Sequence, residues 1–172
     1  MFGRKDTVFA RRVLLLIALT CLAMLAFGLY LQHIVGLEPC PMCIVQRYAL
    51  VLVLVAAGLS ALSRQRAVLI AGTTVMVLGA SSGAFVAARQ SWLQWFPPEV
   101  ASCGRDFYGM IETFPLQRVI PMIFKGSGDC SKVDWTFLGL SIANGAFLAF
   151  MAICSTGLLV LLRLSRSRQN AF

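Results

Sequence analysis

The sequence predicts an all-α membrane protein: a bundle of four transmembrane helices with short interfacial helices in its longest loop. Three observations predict it. The 172 residues are 59% hydrophobic and only 13% charged, with a mean hydropathy of +0.81, outside the makeup of a water-soluble domain. Four apolar runs, at residues 13–31, 44–62, 67–88 and 138–162, each reach about 20 residues, enough to cross a hydrocarbon core of about 30 Å as helices. The charges, finally, are one-sided. Arg4, Lys5, Arg11 and Arg12 against Asp6 precede the first run, Arg64 and Arg66 separate the second from the third, and Arg163, Arg166 and Arg168 follow the fourth. Together they carry the whole formal net charge of +8. Lysine and arginine beside a span favour the cytoplasmic side, so both termini are expected there, with segments 32–43 and 89–137 on the outer side. Topology thus accounts for the basic composition, which gives no reason to expect nucleic acid as a partner. The chain reads as a single membrane domain over residues 1–172.

Each element has its own signal. The first run is Leu-rich and too long for a signal peptide, so it is read as a retained helix, with Gly28 and Tyr30 near its outer end suited to close packing and an interfacial ring. The connection after it holds His33, the chain's one histidine, read as a solvated interfacial residue. The second run ends at Ser63-Arg64-Gln65-Arg66, a turn short enough to force spans two and three into an antiparallel hairpin. Span three carries Gly72, Gly79, Ala80, Gly83, Ala84 and Ala87 at helical spacings, which lets neighbouring backbones approach. Segment 89–137 is too apolar to float free, with Phe107, Tyr108, Phe114, Ile120 and Phe124, yet Pro115 and Pro121 interrupt any long helix. Short helices resting on the membrane fit both facts, and Trp92, Trp95 and Trp135 suit an aromatic belt.

The reactive centre is read at Glu38-Pro39-Cys40-Pro41-Met42-Cys43-Ile44-Val45-Gln46-Arg47. Two cysteines separated by two residues can close a small disulfide ring. Where such a pair opens a helix, the orphan amides and the positive dipole end stabilise a thiolate. Proline is tolerated in a first helical turn, so Pro41 puts Cys40 near the cap and Cys43 inside that turn. Arg47, four residues beyond Cys43, shares its helix face at roughly 6 Å along the axis. Half of a zinc site, or a structural staple, has the same spacing, and both stand as alternatives.

Cys103 and Cys130 bracket the apolar loop, and on the outer, oxidising side the four cysteines suffice for two disulfides. If joined, Cys103 and Cys130 would close a ring worth roughly 3.6 kcal/mol, so a loop staple is one reading. Turn-prone neighbours, Ser102 and Gly104 beside one and Gly126-Ser127-Gly128-Asp129 before the other, favour a bond that another protein's thiolate can reach. Cys21 and Cys154, inside apolar runs, read as small buried hydrophobes.

Pro39-Cys40-Pro41-Met42-Cys43-Ile44 with Arg47, then Gly126-Ser127-Gly128-Asp129-Cys130 and Trp135-Thr136-Phe137-Leu138-Gly139-Leu140, together resemble the DsbB disulfide bond formation proteins over nearly the whole chain. The resemblance implies a quinone-dependent protein-dithiol oxidase of the bacterial inner membrane, with its reactive loops in the periplasm. Its partner would be DsbA, a thiol oxidant of thioredoxin fold, and its electron acceptor ubiquinone or menaquinone. It further implies that the Cys103–Cys130 pair takes electrons from DsbA and that the Cys40–Cys43 pair passes them on. Cys43 would meet the quinone ring, with Arg47 as the cation beside it, serving the quinone rather than the fold. Two places depart from the family's usual pattern: Gln90, where a histidine is common, and Ala143-Asn144-Gly145, without the usual proline and tryptophan. The rival readings are a scaffold stapled by two disulfides and a four-cysteine metal site, the latter lacking a second C-x-x-C.

Overall fold

The structure is a computed structural model that describes residues 2–37, 40–96, 136–137 and 140–169. Among these residues four long helices dominate: α1 (Phe2–His33), α2 (Pro41–Leu62), α3 (Arg66–Trp95) and α4 (Ile142–Gln169). All four are long and apolar enough to cross a membrane, and the protein is a multi-pass helical membrane protein. Helices are what this composition permits, since lipid offers no partner to a backbone N–H or C=O and a helix satisfies both internally. Large apolar side chains such as Leu16, Leu62, Leu78 and Phe85 face outward, as lipid-facing surfaces do. The expected interfacial helices of the long loop fall outside the described residues.

Cross-helix contacts fix the arrangement. Arg11 of α1 donates to the Ala61 carbonyl of α2 at 2.8 Å, while Gly28 and Gln32 of α1 meet Arg47 of α2, so the two helices are antiparallel. Ser60 and Leu52 of α2 lie over Gly72 and Gly79 of α3, and Phe150 of α4 lies over Gly83. Helix α4 also packs on α1, closing a ring in the order α1, α2, α3, α4. Buried Leu14, Cys21, Val53, Met76, Phe150 and Val160 line its axis.

Helix ends depart from the apolar runs for local reasons. Gly36, with φ 77°, turns the chain off α1, and the Leu37 amide returns to the Leu31 carbonyl at 3.1 Å. Helix α3 does not stop where hydropathy falls at 88 but continues through polar Arg89, Gln90 and Gln94 to Trp95. Helix α4 starts at Ile142 rather than at 138. Before it, β1 (Thr136–Phe137) and β2 (Leu140–Ser141) form a two-residue antiparallel ladder. The hydroxyl of Ser141 then accepts the Asn144 amide at 3.3 Å, a serine cap.

One end of the bundle is basic and tied by arginine: Arg66 donates to the Leu164 carbonyl, and Arg163 lies 4.4 Å over the Phe9 ring. The other end holds Cys40, Cys43, Gln90 and Ser141.

The α3–α4 seam yields a stability prediction. A Cβ at Gly83 would stand 2.4–2.8 Å from three atoms of the fully buried Phe150 ring. Gly83→Ala should therefore cost about 1–3 kcal/mol through overpacking, seen as a lower Tm in detergent. Adding Phe150→Leu should recover part of that loss, so the double variant costs less than the sum of the two single ones. Strict additivity would show that the ring does not fill the space above Gly83.

Candidate active site

The start of α2 is built from the sequence Cys40-Pro41-Met42-Cys43. Cys40 keeps an extended backbone as the N-cap, Pro41 occupies the first turn, and the Cys43 amide donates to Cys40 Sγ at 3.4 Å. The Ile44 amide closes the first backbone bond to the Cys40 carbonyl at 3.2 Å. Proline at this position forfeits no helical bond, because the first amides of a helix have no intrahelical acceptor. The capping geometry brings the two sulfurs to 2.9 Å, so making and breaking a bond between them calls for little motion. Both cysteines are partly exposed, at the end of the bundle away from the basic helix ends.

Helix α3 supplies the polar wall. Gln90 Nε2 lies 3.4 Å from Cys40 Sγ and 3.3 Å from Cys43 Sγ, and its Oε1 accepts from Gln46 Nε2 at 2.7 Å. Cys43 Sγ also lies 3.8 Å from that Oε1, a longer contact that a neutral thiol can use. Further along α3, Gln94 Oε1 accepts from Ser141 Oγ at 2.6 Å, which joins the start of α4 to the same layer. Ser91 Oγ is buried and has no hydrogen-bond partner among the described residues.

Arg47 takes the other side. Its guanidinium donates to the Gln32 side-chain oxygen at 2.5 Å and to the Gly28 carbonyl at 3.0 Å, both on α1. The expectation that Arg47 stands apart from the fold therefore does not hold, because it ties α1 to α2. Residues 43 and 47 share a face of α2, but that face looks into the seam between α1 and α3. The short cysteine stays at α3, while the long arginine stem swings across to α1. Tyr30 and His33 are exposed at the end of α1, and Trp92 and Trp95 at the end of α3, with the Trp92 ring 4.7 Å from Phe96.

The family model for disulfide bond formation protein DsbB matches residues 10–160. The chain belongs to the DsbB family. Relatives called disulfide bond formation protein B share most of its length. The one from Polaromonas sp. strain JS666 is 72% identical over 168 residues, covering 98% of this chain and 100% of the relative. The one from Polaromonas naphthalenivorans strain CJ2 is 71% identical over 158 residues, covering 92% and 95%. The one from Albidiferax ferrireducens is 66% identical over 155 residues, covering 90% and 86%. A DsbB-family protein is a disulfide-forming membrane protein, and the close pair at Cys40 and Cys43 suits that redox role.

Of the other expected site residues, Cys103 and Cys130 lie outside the described residues. Cys21 is fully buried in α1; Cys154 is half-buried, its sulfur 3.5 Å from Ser81 Oγ. Gln90 stands out in the sequence only as a departure from the family pattern, and Gln32 and Gln46 do not stand out as site residues. The available signal was a carboxamide inside an apolar run, as at Gln46, since polar groups at membrane depth are costly and tend to carry function.

The clamp on α1 yields a second prediction. Arg47→Ala removes two bonds across the α1–α2 seam and should cost about 1–2 kcal/mol of stability in detergent. Gln32→Ala leaves the bond to the Gly28 carbonyl and should cost about half as much. Equal Tm values for wild type and Arg47→Ala would show that the clamp does not hold the helices.

Proposed function

We propose that the protein is a quinone-dependent dithiol oxidase of a bacterial inner membrane. It withdraws two electrons from a DsbA-like protein of thioredoxin fold and delivers them to ubiquinone or menaquinone. The observation that carries this reading is the pair of sulfurs 2.9 Å apart on the cap of α2, with an amide donor against both and lipid-facing helices all round.

In this reading Cys103 and Cys130 form the disulfide that the partner's thiolate attacks. The partner leaves oxidised, and the reduced loop pair then opens the Cys40–Cys43 disulfide by the same exchange, each step breaking one S–S bond and making another. The net transfer leaves the two electrons on Cys40 and Cys43. A quinone bound there supplies the acceptor for those two electrons and two protons.

The donors at the site fit such a group, whose two carbonyl oxygens accept hydrogen bonds. Arg47, one turn beyond Cys43 on α2, has five N–H donors and commits two of them to α1. Cys43 and Arg47 are therefore the residues proposed to meet the quinone. Holding Arg47 against α1 fixes its position before any ligand arrives, which lowers the ordering cost of binding. The one-sided charge supports cytoplasmic termini and periplasmic cysteine loops.

Purified protein, given the reduced thioredoxin-fold partner and a soluble quinone, should consume both in equal amounts. Cys40→Ala, Cys43→Ala, Cys103→Ala and Cys130→Ala should each abolish turnover, while Cys21→Ala and Cys154→Ala should retain it. Arg47→Lys should raise the apparent KM for quinone by roughly ten- to a hundredfold, the worth of one charge-assisted hydrogen bond. Near-normal turnover in Cys40→Ala or Cys103→Ala would exclude the relay.

A further inference from the structure

Gln46 and Gln90 are almost entirely buried, with 5% and 4% of their surfaces exposed, between helices that otherwise meet mainly through small and apolar residues. Burying a carboxamide is costly unless its donors and acceptor find partners. Here they form a directed chain: Gln46 Nε2 donates to Gln90 Oε1, and Gln90 Nε2 faces Cys40 Sγ and Cys43 Sγ at nearly equal distances, 3.4 and 3.3 Å. An amide nitrogen carries two hydrogens, one for each sulfur. With Oε1 engaged by Gln46, a flip that turned the oxygen onto the sulfurs would break the bond between the two glutamines.

We propose that Gln90 is a catalytic residue of the Cys40–Cys43 pair, donating to whichever sulfur becomes anionic, and that Gln46 is the positioning residue that holds the Gln90 amide in its donating orientation. The inference rests on reading Cys40 and Cys43 as a redox pair. When a thiolate attacks one sulfur of their disulfide, a new S–S bond forms at that sulfur. The old bond breaks, and its electron pair goes to the other sulfur, which leaves as a thiolate. That negative charge develops beside apolar helices, where a fixed N–H donor is worth more than in water. A donor that spans both sulfurs serves the exchange whichever one leaves. As the pair re-forms, the same amide gives up only hydrogen bonds, because a carboxamide neither takes nor releases a proton. Among the described residues near the pair, the charged or titratable side chains are Arg47 and Tyr48 on α2, Arg89 on α3, and Tyr30 and His33 at the end of α1, while α4 brings neutral Ser141 and Asn144. Arg47 is turned to α1, and the Gln90 amide lies against both sulfurs.

The test is the alkylation rate of Cys40 and Cys43 in the reduced, full-length protein in detergent. Iodoacetamide is added at neutral pH, and its adducts are quantified at each cysteine by mass spectrometry. Gln90→Leu should slow alkylation of the pair about tenfold, the worth of one hydrogen bond to a charged sulfur. Gln90→Glu should slow it further, since a carboxylate offers only acceptors. Gln46→Leu should slow it several-fold by freeing the amide, and Gln90→His, which restores a ring N–H, should recover rate over Gln90→Leu. Buried Cys21 reports folding, because it stays protected in any variant that keeps the bundle. Should Gln90→Leu lose that protection, Gln46→Leu and Gln90→His carry the comparison. Wild-type rates at both cysteines in folded Gln90→Leu or Gln46→Leu would overturn the proposal. Slowed alkylation in a protein that oxidises no dithiol partner would support the amide's role while removing the oxidase reading. Unmoved rates alongside normal turnover would remove the amide's role alone.

Discussion

The hydrogen bond from the Cys43 amide to Cys40 Sγ fixes everything around the site, because it makes one sulfur of the pair the cap of α2. A helix begins where its first amides find acceptors, so this bond sets the residue at which α2 starts. The helix that starts there carries Gln46 to α3 and Arg47 to α1. The pair thus sits on the site's own rigid element, and its reactivity and its helical register are one arrangement.

The bilayer explains why polar chemistry gathers at the two ends of the bundle. Along the middle of the helices the backbone is saturated and side chains need only pack, which they do through the small residues of α3. At the ends, helix termini leave carbonyls and amides to be partnered. At the basic end, arginine side chains partner the carbonyls: Arg11 reaches Ala61, and Arg66 reaches Leu164. At the opposite end the amides of α2 and α4 are met by a cysteine sulfur and a serine hydroxyl. One pole therefore suits anchoring and the other suits sulfur chemistry.

The four helices were legible because an apolar run of about 20 residues has few other outcomes in a membrane. Their ends were not, since hydropathy records where lipid contact stops and not where backbone hydrogen bonding stops. Helix α3 runs past that point to bring Gln90 and Gln94 to the site, and the cap at Ser141 starts α4 four residues inside its apolar run. The C-x-x-C pair and its cap were readable from Pro41 alone. What each side chain meets on another helix was not, because contacts across seams depend on helix rotation, which one chain's periodicity leaves open. So Arg47, correctly placed on the face of Cys43, was not seen to reach α1. The Gln46–Gln90 pair, residues far apart in sequence, was invisible until α2 and α3 were packed.

The central claim is that Cys40 and Cys43 on the cap of α2 are the last protein groups to hold the electrons. Fully reduced protein mixed anaerobically with two equivalents of a water-soluble quinone tests it most directly, with the redox state of each cysteine read by differential alkylation over time. The account predicts that Cys40 and Cys43 become a disulfide first, with one quinol formed per pair and Cys103 and Cys130 oxidised only afterwards. Oxidation of Cys103 and Cys130 before the cap pair, or quinol formed while Cys40 and Cys43 stay reduced, would contradict it.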